Sequence, residues 1–428
     1  MIFQRRIGIW MLGLFAWLDV QANDVTLNLN DLISEFEANN PSLKAAKAAW
    51  ESSAAKVPQA SYWKDPELQL KIENAYSPES QFGSEVDVMA VQEIPFPGKL
   101  KGAKKIATAE AEMANQEYRN ERLSRLRTLK SIFFELVTLH QSLRIINEIE
   151  AVLKAMVETM DSLYAVGKVP QSDLLKARLE VAQLEDERWV FKEKIDQAEA
   201  ELRFLLGRDS ATSMGVPSVP NPTPFDLDLS DLTSLAVEHS PMILEANSRV
   251  VGSKASLQLA KLEPIPNFMV GAGWSRDRMN NVSMWEVETG IRIPIFSIFK
   301  LKHRLKEESS RLNAAERIKD AKRLELMAML DQANVKIQTA KGRRLLIEKT
   351  LLPQARLTFE SSVAAYTVGG RTEFITVLDN LKTVLRLEMD SFERLAEHEA
   401  AVATIESLVG LSLDEMNHYL RSHSHEQS

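Results

Sequence analysis

An internal duplication of about two hundred residues constrains this chain more than any other feature of its sequence. Over the first part of the repeat, residues recur at a constant offset of 200: Asp31-Leu32 with Asp231-Leu232, Pro41 with Pro241, Ser53 with Ser253, Ala55 with Ala255, and Pro66 with Pro266. The offset then barely drifts, and the later matches are Ile94-Pro95 with Ile293-Pro294, Val166-Gly167 with Val368-Gly369, and Leu205-Leu206-Gly207 with Leu408-Val409-Gly410. A duplication this long, with matching proline and glycine positions, predicts one long supersecondary module built twice.

The first copy alternates between helical and strand patterns. A helical pattern opens at Pro41 and continues to about residue 63. Residues 67–74 and 84–94 then alternate apolar and polar side chains, which predicts a β-hairpin joined by a turn-rich loop over residues 75–83. Residues 99–164 contain no proline and, after Gly102, no glycine, so we predict one helix about 100 Å long. A shorter helix is predicted over residues 172–206.

The second copy repeats this plan. Its helical patterns cover residues 241–262, 297–366 and 372–409, and its strand patterns cover 267–275 and 283–293. In each copy the two shorter helices together are nearly as long as the long helix. We therefore predict a mainly α-helical fold with a small β part, in which long coiled-coil helical hairpins pack each continuous helix against two stacked shorter ones.

The N-terminus carries the features of an export signal. Arg5 and Arg6 precede an apolar run over residues 7–18, and small residues at Val20 and Ala22 predict cleavage after Ala22. The alternative is a membrane anchor, but the run is shorter than the roughly 20 residues that a spanning helix needs. We divide the chain into a signal peptide (1–22), a first repeat (23–209), a proline-rich linker (210–228), a second repeat (229–411) and a polar C-terminal tail (412–428).

The strand patterns of the second copy separate an apolar face from a polar or small one. Phe268, Val270, Ala272 and Trp274 alternate with Asn267, Met269, Gly271 and Gly273. Strands of about ten residues with one apolar face, in an exported chain, fit transmembrane β-strands around a wet lumen. Four strands cannot close a barrel, since known single-chain barrels begin at about eight strands, so several chains would have to pool their strands in a cyclic oligomer. An ordinary soluble four-stranded sheet is the alternative that the strands alone leave open.

Composition excludes several classes of function. The formal net charge of −8 leaves no basic surplus to neutralise phosphates, so no nucleic-acid partner is expected. The chain has no cysteine and no GxSxG, HExxH or phosphate-binding glycine loop, so we expect no enzyme activity and no cofactor. No metal site is predicted, because His418, His423 and His425 belong to a short polar tail that we expect to be disordered. The lysine cluster at residues 99–105 is interpreted as a solvated face.

Two related segments, residues 164–176 and 366–379, interrupt the long helical patterns. Each has a tyrosine, a Val-Gly pair, and then a serine or threonine followed by an acid. This order predicts a helix that stops at glycine, a short turn, and a new helix that begins at an N-cap formed by Ser172 or Thr372. The chain would then reverse its direction at both segments.

The complete pattern resembles the TolC-like outer membrane efflux factor family over essentially the whole mature chain. The resemblance is carried by the duplicated module with its strand hairpins, the two Val-Gly turns, the run 377–379, the helix ends at Gly207 and Gly410, and residues 92–99 (QEIPFPGK). Residues 92–99 are similar to the branch of the family that serves heavy-metal cation efflux pumps. The resemblance implies a homotrimer whose twelve pooled strands form a β-barrel in outer-membrane lipid. It also implies a helical tunnel through the periplasm that docks at its closed tip onto a periplasmic membrane fusion (adaptor) protein of an inner-membrane efflux pump.

The resemblance also assigns candidate residues at the two turns. Candidates for adaptor docking are Val166, Gly167, Lys168, Val368, Gly369 and Gly370, and candidates for the gate are Asp379, Asp173, Glu373 and Arg371. A ring of three carboxylates in a trimer would favour cations. The structural alternatives are that the glycines only end helices and that Asp173 and Glu373 only complement a helix dipole.

The function expected from this resemblance is a passive exit duct of a tripartite efflux system, serving heavy-metal cations. Two alternatives stay open. One is the same channel serving organic solutes or drugs, and the other is a soluble periplasmic coiled-coil rod or adaptor without a pore.

Overall fold

A computed structural model of the 428-residue chain describes residues 26–424 except 78–79, 210–211, 213, 278–280 and 370–372. The predicted signal peptide therefore lies outside the described residues. The helices are α1 (Leu29–Asn39), α2 (Pro41–Gln59), α3 (Lys99–Ala165), α4 (Gln171–Leu206), α5 (Leu229–His239), α6 (Pro241–Leu262), α7 (Ile295–Leu346), α8 (Leu352–Gly369), α9 (Phe374–Val409) and α10 (Leu413–Ser424), with a π-helical turn at Ile347–Leu351. The strands are β1 (Glu67–Ser77), β2 (Ser80–Ile94), β3 (Asn267–Asp277) and β4 (Val282–Arg292).

The element order of the first half recurs in the second half. Two short helices, a hairpin, a long helix and a return helix occur in that order in both halves. The sequence patterns did not predict α1 and α5, the short helices that precede α2 and α6. Asn40 and Ser240, both buried, stand at these helix boundaries just before the prolines that open α2 and α6. Proline is well suited to a first helical position because its missing N–H would have no partner inside the helix.

The long helix α3 is the central element of the helical part. It packs against α2 and α4, and also against α6 and α9, while α7 packs against α6 and α9. Three clusters of buried apolar residues follow one another along these contacts, and the most completely buried side chains include Phe36, Phe133, Phe225 and Phe374. The predicted architecture, a mainly helical chain in which a continuous helix lies against stacked shorter helices, is thereby confirmed.

The return helices end against the starts of α2 and α6. Gly207 and Gly410 follow α4 and α9 in the left-handed conformation, with φ of 68° and 88°. A Cβ atom on Gly410 would lie 2.6 Å from the carbonyl oxygen of His239, so the close approach requires glycine. In the first half, the Asn40 side chain donates a hydrogen bond to the carbonyl of Leu205 (2.7 Å) and accepts one from the Leu43 N–H (2.8 Å).

The four strands form one antiparallel sheet in the order β1-β2-β3-β4. The register joins Leu70, Val88, Trp274 and Trp285 across the sheet, so one face is apolar, as predicted. This face is open: Leu70 is 64% exposed and Trp285 is 86% exposed. On the opposite face Gly271, Gly273 and Ser275 are buried, which indicates that the sheet curls toward its polar side. The predicted hairpin loop at residues 75–83 is wrong, because β1 extends to Ser77 and β2 begins at Ser80.

Residues 92–99 form the junction between the sheet and the helices. Glu93 accepts hydrogen bonds from Asn267 (2.7 Å) and Arg292 (2.9 Å), which joins β2 to β3 and β4. The Lys99 ammonium donates to the Ile265 carbonyl and to the Asn267 side chain (2.8 Å). Burial lowers the pKa of Lys99, and the nearby Glu93 and Glu263 carboxylates oppose that shift. Lys99 is therefore a structural clamp, whereas the sequence pattern indicated a solvated face.

The second long helix is not continuous. A π-helical turn at Ile347–Leu351 separates α7 from α8, two residues before Pro353. Proline has no N–H to donate and its ring crowds the preceding turn, so a widened turn lets the helix pass it.

The C-terminal segment also differs from its prediction. Residues 413–424 form α10, whose Met416 is fully buried in a core cluster, instead of a disordered tail. His418 is exposed on α10, the side chain of His423 is not described, and His425 lies outside the described residues.

Among the described residues, no helix combines the length and the apolar character needed to cross a membrane.

Candidate docking tip and gate

The helices reverse direction at the end of the molecule far from the sheet, and we call this end the helix tip. It contains the first turn, residues 166–170 between α3 and α4, and the connection between α8 and α9, residues 370–373, of which only Glu373 is described; we call this connection the second turn. The first turn lies about 100 Å along α3 from its start beside β2, since α3 has 67 residues. The candidate docking and gate residues lie in these turns or in the adjoining ends of α4, α8 and α9.

The first turn is closed by backbone hydrogen bonds. The Gly167 N–H donates to the Tyr164 carbonyl and the Lys168 N–H donates to the Leu163 carbonyl, both at 2.9 Å. These two bonds and a Gly167 φ of 71° define a Schellman motif, in which a left-handed glycine satisfies the last carbonyls of a helix. Glycine thus ends α3 in the way the sequence predicted.

The first turn presents apolar side chains to solvent. Val166 is 66% exposed, Tyr164 is 42% exposed, and Lys168 is also exposed. A Cβ atom on Gly167 would meet nothing within 4 Å. Because the turn is fixed by its own hydrogen bonds, these side chains form a small, preformed surface.

The second turn is built differently, although helix α8 ends at Gly369, the glycine at which the sequence predicted a stop. Helix α8 continues through Val368 and Gly369, three residues past the predicted end at 366, and α9 begins at Phe374. Gly370 and Arg371, together with the predicted cap Thr372, lie outside the described residues. Tertiary packing explains the longer helix: Phe374 is fully buried and its ring lies 5.6 Å from that of Tyr366 near the end of α8.

The predicted N-caps are also replaced. Helix α4 begins at Gln171 with Pro170 at the cap position, so Ser172 lies inside the first turn of the helix. Glu373 occupies the cap position of α9 and its side chain makes no capping hydrogen bond. Leu174 and Phe374, in the first turns of these two helices, are buried in the same core cluster.

The gate candidates occupy different surroundings. Asp379 is exposed on α9, on the side away from buried Val377 and Leu378, and it has no ion-pair partner in the described part of the chain. Glu373 is exposed and Asp173 is half-buried. One chain thus leaves Asp379 free to face another copy or an aqueous space.

Tyr366, the tyrosine of the second Val-Gly segment, is a polar residue of the tip to which the sequence assigned no role. Its hydroxyl is buried and has no hydrogen-bond partner among the described residues. Burial raises the pKa of Tyr366, and the negative charge of Asp173 raises it further. The phenol therefore stays neutral, and its position shows that the start of α4 lies close to the end of α8.

Two ion pairs connect neighbouring helices just above the tip. Arg178 on α4 donates to both carboxylate oxygens of Asp161 on α3, at 2.7 and 2.9 Å. Lys382 on α9 pairs with Glu180 on α4 at 2.8 Å. Only Glu180 of these four side chains is largely buried. Exposed ion pairs add little to stability, so these pairs mainly fix the alignment of the helices along one another. In the described ranges, no group of three or more histidine, aspartate or glutamate side chains is placed to hold a metal ion.

Known proteins share this architecture. The family model for outer membrane efflux proteins matches residues 32–208 and 232–411. CusC, whose crystal structures concern transmembrane channel formation, superposes with a TM-score of 0.79 at 16% identity over 91% of this chain and 93% of its own. The outer membrane protein VceC from Vibrio cholerae superposes with a TM-score of 0.76 at 18% identity over 90% of this chain and 96% of its own.

A sequence relative gives a weaker match. Protein CyaE of Bordetella pertussis is 24% identical in an alignment of 265 residues, and the match covers 57% of this chain and 54% of that protein. The match therefore spans about half of that relative's length. Since the family model covers most of both repeats, the chain belongs to the outer membrane efflux protein family, whose members are TolC-like outer-membrane channels with periplasmic helices and are not enzymes.

Proposed function

We propose that this chain forms a trimeric exit duct of a tripartite efflux system. The main support for this proposal is that a single chain leaves both edges of its sheet and both flanks of its helical layer without partners. A closed ring of identical chains satisfies both edges with one repeated contact. Three copies would pool their strands into a barrel of about twelve, within the range of known outer-membrane barrels.

The sheet supports this proposal by its open edges. Strands β1 and β4 are the outermost strands of the sheet, so each has a row of backbone groups that no neighbouring strand pairs. Water is absent from the bilayer core, so these groups need hydrogen-bond partners there. Pairing β1 of one copy with β4 of the next supplies those partners.

The helical part supports the same contact. On α7 and α8, exposed apolar side chains recur about every three turns at Leu324, Val335, Leu346 and Leu357. On α4, Leu175, Leu179, Trp189 and Phe204 are exposed on the side away from α3. Stripes of this kind mark surfaces that bury themselves against a partner.

A designed cross-link tests the ring. Trp189 is 18 residues from the start of α4 and Leu351 is 18 residues from the end of α8, so both lie about 27 Å from the helix tip. We expect the double substitution Trp189→Cys and Leu351→Cys to give covalent trimers on mild oxidation. The chain has no native cysteine, so every cross-link reports the engineered positions. Denaturing electrophoresis without reductant measures the result.

The matched control pairs Trp189→Cys with Leu324→Cys, which lies about 40 Å farther from the tip along the helix. This pair should not cross-link. If both cysteine pairs gave only monomers, the ring would be refuted and the soluble periplasmic rod would be favoured. Covalent chains longer than three copies would refute the trimer but not the contact.

We further propose that the helix tip docks onto a periplasmic membrane fusion (adaptor) protein of an inner-membrane efflux pump. The exposed apolar surface at Val166 and the fixed backbone at Gly167 support docking at the first turn. We also propose that the adaptor docks at the second turn, at Val368, Gly369 and Gly370. This part of the proposal rests on the sequence alone. Gly167→Trp should abolish efflux while trimer assembly persists, because the indole would obstruct the docking surface without entering a core. Unchanged efflux would contradict docking at this turn.

For the gate we propose a ring of Asp379 carboxylates, one from each copy, with Asp173, Glu373 and Arg371 as secondary candidates. The exposure of Asp379 and its lack of a described partner support this assignment. Such a ring favours cations, which agrees with heavy-metal cations as the cargo suggested by residues 92–99. Asp379→Asn should reduce the cation preference of single-channel currents in planar bilayers. An unchanged preference would place the gate elsewhere and would leave organic solutes as the alternative cargo.

A further inference from the structure

We propose that the first three turns of α7 bind anionic phospholipid headgroups of the periplasmic leaflet. The proposal rests on the membrane placement of the sheet and adds a lipid-binding site to it. We call the site the α7 lipid surface; it consists of exposed apolar side chains at residues 295–299 and exposed lysines at residues 300–306.

The apolar part continues the lipid-facing side of the sheet. Ile291 in β4 and Ile293, directly after β4, are 59% and 58% exposed. Directly after them, Phe296 is 79% exposed and Phe299 is 76% exposed, although both begin a helix of a folded domain. Exposing two phenyl rings to water costs free energy in proportion to their apolar area. A partner that covers them is therefore favoured.

The opposite edge of the sheet carries aromatic residues at the same level. Tyr62 and Trp63, just before β1, are 71% and 53% exposed. Tyrosine and tryptophan concentrate at membrane interfaces, where a ring can lie among lipid tails and its polar end among headgroups. Since β1 begins and β4 ends at the helix side of the sheet, this level corresponds to the periplasmic border of the bilayer.

The cationic part lies next to the phenyl rings but farther from the sheet. Lys300 follows Phe296 by four residues and Lys302 follows Phe299 by three, so each lysine shares a helix side with a phenyl ring. Lys306 extends the same side by about one turn. Apolar groups nearest the sheet followed by cations within about 5–10 Å reproduce the order of lipid tails and phosphates.

These lysines are also available for a ligand. Lys300, Lys302 and Lys306 are exposed and make no ion pair within the described ranges. Arg304 between them, by contrast, pairs with Glu307 and Glu308. A local excess of unpaired cations in a chain of net charge −8 points to an anionic partner, and charges near an anionic lipid surface add to its affinity.

The start of α3 provides a matched control. It carries Lys101, Lys104 and Lys105, which are exposed and equally free of described ion pairs. The preceding aromatic residue, Phe96, is half-buried, so this segment has cations without an exposed apolar side. A charge effect alone would involve both helices equally, whereas a lipid surface requires both components.

The test is native mass spectrometry of the full-length protein extracted with an equimolar mixture of phosphatidylglycerol and phosphatidylcholine. Wild type should retain phosphatidylglycerol preferentially. The triple variant Lys300→Gln, Lys302→Gln, Lys306→Gln should lower that preference about a hundredfold, since each of the three lysines near an anionic surface contributes roughly fivefold and these factors multiply. The control variant Lys101→Gln, Lys104→Gln, Lys105→Gln should keep it. Phe296→Ser with Phe299→Ser should reduce the retention of both lipids.

Each other outcome overturns the proposal in a recognisable way. An unchanged preference in the α7 variant, or an equal loss in the α3 control, would show that the α7 lysines are not the site. Displacement of phosphatidylglycerol by inorganic phosphate at equal concentration would identify a free-anion site. Loss of trimers in the α7 variant would assign the surface to a neighbouring copy. Failure of wild type to float with phosphatidylcholine vesicles would refute the membrane placement itself and so separate that failure from an error about the lysines.

Discussion

The two turns of the helix tip have related sequences but different supports. The first turn is held by local backbone hydrogen bonds around Gly167 and leaves Val166 in solvent. The second turn is flanked by tertiary anchors, because the Tyr366 and Phe374 rings lie together and Phe374 is fully buried. The difference shows that a duplicated sequence pattern can end helices by unlike mechanisms.

This contrast assigns different parts to the two turns. A turn that stabilises itself can expose its side chains to a partner without weakening the core. A turn that depends on buried rings couples any movement of its helices to the core cluster beneath it. We therefore expect substitutions at the second turn to affect folding and those at the first turn to affect contacts with other proteins.

The largest effect is expected from Phe374→Ala. Removing a fully buried phenyl ring should lower the free energy of unfolding by about 3–5 kcal/mol, through lost apolar burial and the cavity left behind. Thermal unfolding followed by far-ultraviolet circular dichroism measures this change. Val166→Ala at the first turn should change it by less than about 0.5 kcal/mol, because that side chain is mostly exposed. Similar effects at both positions would remove the distinction between the turns.

A smaller effect of opposite sign is expected from Tyr366→Phe. The tyrosine hydroxyl is buried without a partner in the described part of the chain, so its removal should stabilise the fold by about 1–2 kcal/mol. The same unfolding measurement applies. A loss of stability would show that the hydroxyl has a partner, such as a bound water, and that the second turn contains a polar contact.

The pH dependence of stability provides an independent test of the same residue. Its raised pKa keeps the folded phenol protonated at a pH where an unfolded tyrosine, with a pKa of 10.0, already ionises. Ionisation therefore favours the unfolded chain, and the stability of wild type should fall as the pH rises above about 10. The fall between about pH 9 and 11 should be less steep in Tyr366→Phe. Equal slopes would contradict the burial of this hydroxyl.

The long helices and strands of this protein could be predicted from the sequence because their signals are local. Proline and glycine mark the ends of α3, and strict alternation marks β3 and β4. Because the module is duplicated, each element is predicted twice from independent stretches of sequence. The agreement of the two copies fixes the order of elements in the module. These signals do not depend on contacts between distant residues.

The errors arose where distant contacts decide the outcome. Helix α8 runs past its predicted end at 366 to Gly369 beside the Tyr366 and Phe374 pair, and α10 forms because Met416 fills a core cluster made by the second repeat. The π-helical turn depends on how the chain passes Pro353, which a pattern of apolar residues does not reveal. The predicted gate and docking residues could be named from a resemblance, but their burial and partners required the fold.

The smallest expected effects compare the same substitution at the two Val-Gly pairs. Gly167→Ala should cost about 1 kcal/mol, because Gly167 has a φ of 71° and alanine disfavours the left-handed conformation by that amount. Gly369→Ala should instead be neutral or stabilising by a few tenths of a kcal/mol, because Gly369 lies within α8 and alanine favours helix. Opposite signs in thermal unfolding would show that only the first glycine is required by backbone geometry. A comparable loss at Gly369 would mean that α8 ends in a left-handed glycine in the assembled protein, and the two turns would then share one mechanism after all.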